Sequence, residues 1–76
     1  MTRADFEIAL RAFCRRRPFK TFVVELTSGD RFWVSHPEAL AWRANLLYYR
    51  SPQDDHRLID CGSVCQLLDA SSIAAT

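Results

Sequence analysis

The chain has 76 residues, a formal net charge of +1 and a hydrophobic fraction of 49%, values typical of one small globular domain. No apolar run approaches the roughly 20 residues that span a bilayer, and two glycines are too few for a glycine-rich phosphate loop. HExxH, GxSxG and CxxC motifs are also missing. We therefore expect no membrane contact, enzyme activity, cofactor, metal or small-molecule substrate.

Residues 2–16 carry the pattern of an amphipathic helix. Thr2 suits the N-cap, and Asp5 follows three residues later, as in a capping box. Apolar side chains at i, i+4 and i+7 form a core-facing stripe of Phe6, Leu10 and Phe13. Pro18 predicts the end of the helix, because proline disfavours a helical residue before it.

A β-hairpin is predicted next. Residues 19–27 are rich in β-branched and aromatic side chains that alternate between two faces. Gly29 favours a turn at 28–30, since glycine adopts a positive φ without strain. Residues 31–35 then form the returning strand.

Residues 37–44 allow two interpretations. The stretch from Ser35 to Glu38 has a capping-box pattern with proline in the first turn, and residues 39–44 have high helix propensity. A turn at 44–45 followed by an aromatic strand at 45–50 favours a bent strand instead. The residues alone leave both structures open.

The remaining third of the chain predicts a polar loop, two short strands joined by a tight connection, and a tail. The segments are the loop 51–55, the strands 56–60 and 64–69, and the connection 61–63. We expect one domain over residues 1–70 and a frayed tail at 71–76.

The near-zero net charge hides a gradient along the chain. Residues 1–20 carry a net charge of +4, and residues 51–76 carry −3. The basic segment predicts a patch for an acidic partner or a nucleic acid. Its members are Arg11, Arg15, Arg16, Arg17 and Lys20.

Four aromatic residues are candidates for an interface. Tyr48 and Tyr49 are adjacent, so in a strand they point to opposite faces and one of them leaves the core. Trp33 alternates out of phase with the apolar residues beside it. Exposed aromatic rings anchor protein interfaces or stack on bases. The candidates are Trp33, Trp42, Tyr48 and Tyr49.

The predicted order of elements resembles the Sm-like, or Hfq-like, small β-barrel over residues 2–69. Its first motif resembles the segment from Val24 to Gly29, with Leu47 in the following strand, and its second resembles the segment from Ile59 to Leu67. The resemblance implies a mainly β fold: an N-terminal α-helix, then a five-stranded, strongly bent SH3-type barrel. It also implies RNA binding, but Asp60 and Cys61 replace the arginine and glycine of the family's second motif. An aspartate there repels phosphate, which argues against the family's usual RNA-binding pore.

The chain resembles more closely a set of short, uncharacterised bacterial proteins. They share the Arg17-Pro18-Phe19 segment, the Ser28-Gly29 turn, and Val34 followed after one residue by His36-Pro37-Glu38. Residues after His-Pro-Glu in those sequences read as strand, which favours the bent strand over the helix at 39–43. They have no established activity, so this resemblance implies a fold and a bacterial origin only.

Taken together, these patterns predict a non-enzymatic binding or assembly module that self-associates through strand edges or exposed aromatics. Its partner is a second copy or another protein, and RNA binding at the basic patch is the alternative. Three cysteines are an odd number, so free thiols in a reducing cytoplasm are expected.

Overall fold

The computed structural model of the protein describes the backbone of residues 1–73 and the side chains of residues 1–71. A helix, α1 (Arg3–Cys14), precedes six strands. They are β1 (Phe22–Leu26), β2 (Arg31–Val34), β3 (Leu40–Arg43), β4 (Leu46–Arg50), β5 (His56–Asp60) and β6 (Val64–Asp69). A short helix, α2 (Ala70–Ile73), follows the last strand. The last three residues of the predicted frayed tail, 74–76, lie outside the described residues.

Local signals in the sequence set the first helix and the first hairpin, and both predictions are confirmed. The Thr2 hydroxyl accepts a hydrogen bond from the main-chain nitrogen of Asp5 at 3.2 Å, as an N-cap does. Between β1 and β2, Gly29 has a φ of 96° and donates its N–H to the carbonyl oxygen of Leu26 at 2.9 Å. A side chain at this φ is strained, which explains the glycine.

The strands form two three-stranded antiparallel sheets. The first sheet has the order β2-β1-β6 and the second has the order β3-β4-β5. A 3-10 turn at Pro37–Ala39 carries the chain from the first sheet to the second, and another at Cys61–Ser63 carries it back. Within the described residues, the edge strands are therefore β2 and β6 in the first sheet and β3 and β5 in the second.

The open question at residues 37–44 is resolved by cross-strand pairing. Leu40 pairs with Tyr49 and Trp42 pairs with Leu47, so residues 40–43 are a strand and not a helix. The prediction of a mainly β domain is confirmed. Residues 1–73 contain six strands and not the five of the predicted barrel, and a 3-10 turn at Pro37–Ala39 lies between β2 and β3. The two sheets do not close into a barrel among residues 1–73.

The core lies between the two sheets and is covered by α1. Phe6 and Leu10 of the helix are fully buried, as the apolar stripe predicts. Phe22 of β1 is also fully buried, and its ring centroid lies 5.0 Å from that of Phe13. Burying an aromatic or leucine side chain contributes about 1.5–3 kcal/mol. Helix burial is therefore a substantial part of the stability of this small domain.

Candidate functional site

The solvent-facing side of the second sheet is the most distinctive surface of the described chain. Alternation along its three strands sends Leu47, Tyr49 and Ile59 into the core and sends their neighbours outward. We call this surface the outer face. Its members are Ala41, Arg43, Leu46, Tyr48, Arg50, His56, Leu58 and Asp60.

Apolar side chains dominate the middle of the outer face. Leu58 is 71% exposed, Leu46 is 46% exposed and Tyr48 is 36% exposed. Tyr48 lies between Ala41 on β3 and Leu58 on β5, so these three side chains form one cross-strand row. Cross-strand neighbours on one face lie within contact distance. Water therefore meets a continuous apolar strip and not scattered single residues.

A polar chain lies at one end of this strip. The Tyr48 hydroxyl is hydrogen-bonded to Nδ1 of His56, and Nε2 of His56 lies 3.8 Å from an Asp54 carboxylate oxygen. All three side chains are exposed.

A second feature is a groove of about 630 Å³ between the end of β2 and the loop after β4. Trp33 lines this groove and is 45% exposed. The Tyr49 hydroxyl donates a hydrogen bond to the Trp33 carbonyl oxygen at 2.9 Å, which ties the two sheets together. Nearby, the Arg57 guanidinium lies 5.5 Å from the centre of the Phe32 ring. Charged groups of both signs line the groove: Glu38, Arg50 and Asp54.

The structure separates the four candidate aromatics. Trp33 and Tyr48 are exposed, as an interface requires, but they lie on different sheets. Trp42 is half-buried and packs against the core. Tyr49 is only 5% exposed, and its ring lies 4.4 Å from that of Phe32. The assignment of Tyr49 to an interface is therefore corrected: it is a core residue, because it shares its phase along β4 with buried Leu47.

The basic patch is also divided. Arg16 is engaged inside the fold: its guanidinium pairs with Asp69, donates to the Lys20 carbonyl oxygen at 3.1 Å and lies 4.6 Å from the centre of the Phe13 ring. These contacts give Arg16 a structural role within the fold. The remaining four cations are exposed and form no ion pair with the side chains of residues 1–71: Arg11, Arg15, Arg17 and Lys20.

The outer side of the first sheet carries a polar ladder. The Glu25 carboxylate accepts hydrogen bonds from Gln66 at 2.6 Å and from Arg31 at 2.8 Å. These two hydrogen bonds, the one from Gln66 first, hold the pKa of Glu25 below its ordinary value against the opposing effect of desolvation. The polar groups of the ladder are already hydrogen-bonded to each other. This surface therefore has fewer free groups for contact with a partner than the outer face has.

The described residues contain neither a metal-ligand cluster nor a membrane-spanning helix. Among them, no three side chains of His, Cys, Asp or Glu converge as a metal site would require. None of their helices has the length and apolar character needed to cross a membrane. Cys14 is half-buried, Cys61 is buried and Cys65 is exposed, and all three are free thiols.

Comparisons with protein-family models, with curated proteins and with solved structures found no match to this chain. The Sm-like resemblance therefore stays a prediction. The sequence interpretation also missed Leu46 and Leu58. The phase of β5 contains the signal for Leu58, because it alternates with buried Ile59 and shares its side with His56 and Asp60.

Proposed function

We propose that the protein is a small, mainly β, non-enzymatic binding and assembly module that self-associates through the outer face. The observation that carries the proposal is the adjacent exposure of Leu46, Tyr48 and Leu58. Apolar patches of this kind mark protein interfaces, and burying them would add to the thin stability of a short chain.

Two further features support the proposal. The chain crosses between the sheets at two 3-10 turns, as expected for a bent small barrel in which the sheets pack on each other. The hydrogen bond between the Tyr48 hydroxyl and Nδ1 of His56 favours one orientation of the tyrosine ring. A preorganised ring loses little conformational freedom on binding. The three free thiols fit the further proposal of a cytoplasmic location.

The proposal is tested by the solution mass of the chain at micromolar concentrations, measured by light scattering. We expect the wild-type chain to exceed the mass of a monomer and Leu58→Lys to return it to monomer. Ile8→Lys is the matched control, because Ile8 is 68% exposed on α1, outside the outer face. A wild-type chain that stays monomeric throughout, or a loss caused equally by both variants, would contradict the proposal.

Nucleic-acid binding is the second candidate function, and the four exposed cations at the end of α1 favour it. Binding through phosphate contacts weakens steeply as salt rises, and each lost contact lowers the slope by about one unit. We therefore expect Arg15→Gln with Arg17→Gln to reduce the salt slope of RNA binding by about two units. Arg3→Gln is the control, because Arg3 already pairs with Glu7 at 3.4 Å. Absence of binding at low salt would reject this candidate.

A further inference from the structure

We infer that the partner at the outer face is a second copy of the chain, related by a two-fold axis that runs parallel to the strands of the second sheet. This inference rests on the proposed function and adds the geometry of its interface. Packed sheets keep their strands roughly aligned, within about 30°. A symmetric dimer uses the same surface on both copies, so that surface must be complementary to itself.

The charges on the outer face have this self-complementarity. Arg43 lies on the edge strand β3 and Asp60 on the edge strand β5, and both pair with Leu46 between them. A two-fold axis parallel to the strands brings β3 of one copy over β5 of the other. Each cross-strand row of one copy then lies over the same row of the second copy. Each Arg43 then faces Asp60 of the second copy, and the contact occurs twice.

Both charged groups are available for this contact. Arg43 is exposed and has no ion pair among residues 1–71. One Asp60 oxygen accepts from the Gly62 nitrogen at 2.8 Å, and the other accepts from Asn45 at 3.4 Å. A carboxylate has about four acceptor positions, so Asp60 retains capacity for a guanidinium.

The cross-strand row of Ala41, Tyr48 and Leu58 is also complementary to itself under the parallel axis. Ala41, the smallest member, lies on β3 and Leu58, the most exposed, lies on β5. The parallel axis places each Leu58 over Ala41 of the second copy, where the short side chain leaves room. Tyr48 lies in the middle strand and meets the second Tyr48 at the axis. The large and small side chains therefore interlock.

The alternative two-fold axis runs perpendicular to the strands and reverses the order of the rows. It sets Leu46 against Arg50 of the second copy and leaves Arg43 without an acidic partner. The parallel axis instead brings the two Arg50 side chains near each other, which is its one unfavourable contact. Removing the charge of Arg50 therefore relieves a repulsion under the parallel axis and relieves none under the perpendicular one.

The test measures dimer dissociation constants by analytical ultracentrifugation for the wild type and four variants. Arg43→Glu replaces two attractive contacts by two repulsive ones and should weaken the dimer on the order of 100-fold. Arg11→Glu makes the same charge change on α1 and should leave the constant unchanged. Removing the like charges with Arg50→Gln should tighten the dimer about two- to five-fold. Asp60→Asn, which retains the acceptor for Gly62, should form a mixed dimer with Arg43→Glu.

The outcomes separate the inference from the proposed function. A monomeric wild-type chain would contradict both. A wild-type dimer that Arg43→Glu leaves intact, or that Arg50→Gln weakens, would overturn the parallel axis and leave self-association standing. Circular dichroism of each variant establishes that a lost dimer reflects the interface and not unfolding, and the mixed dimer supplies the same control by restoring assembly.

Discussion

The hydroxyl of Tyr49 is the clearest single link between the two sheets, and Tyr49→Phe removes it alone. The hydroxyl donates to the Trp33 carbonyl oxygen at 2.9 Å from a partly buried position. The ring itself packs on Phe32 with centroids 4.4 Å apart. Phenylalanine keeps that packing, so the variant reports the hydrogen bond and not a cavity.

The size of the effect follows from the position of the acceptor. One intramolecular hydrogen bond contributes about 0.5–1.5 kcal/mol to stability. Trp33 and Tyr49 both line the groove and their hydrogen bond is only partly buried, so water can replace the lost donor and the full penalty of a buried unsatisfied group does not apply. We expect Tyr49→Phe to lower the free energy of unfolding by about 1 kcal/mol. The melting temperature should fall by roughly 4–8 °C.

The assay is urea unfolding followed by tryptophan fluorescence, at the lowest protein concentration that the signal allows so that self-association contributes little. Tyr48→Phe is the matched control, because it removes the same hydroxyl from the next residue. The partner of the Tyr48 hydroxyl, His56, is exposed, so water can replace the lost hydrogen bond. We therefore expect the free energy of unfolding of Tyr48→Phe to differ from wild type by no more than about 0.5 kcal/mol. Equal effects of the two variants would refute the claim that Tyr49 ties the sheets together.

Two further predictions concern backbone strain and pH. Gly29→Ala should cost about 1 kcal/mol by urea unfolding, because the φ of 96° is strained for a side chain although no atom lies within 4 Å. An unchanged free energy of unfolding would contradict this prediction and show that the turn adopts another conformation. The lowered pKa of Glu25 means that its contribution is complete above the ordinary pKa of 4.5 and is lost as the pH falls below it. Wild-type stability should therefore fall more steeply with acid than that of Glu25→Gln, and parallel pH profiles would contradict this.

Much of the local structure could be predicted because its causes are local. Thr2 as a cap, Pro18 after the helix and Gly29 in the turn act through groups only a few residues away. The candidate interface was predicted less well. Alternation shows that Tyr48 and Tyr49 point to opposite faces, but not which face another layer covers.

The sequence by itself determined the capped N-terminal helix and the β-hairpin that follows it, since both follow from period and turn chemistry. Tertiary structure alone decided that residues 40–43 form a strand, because their pairing with β4 outweighs helix propensity. It also decided the role of Arg16, whose partner Asp69 is 53 residues away. The outer face arises in the same way, because a side chain is exposed or buried only after distant strands have paired.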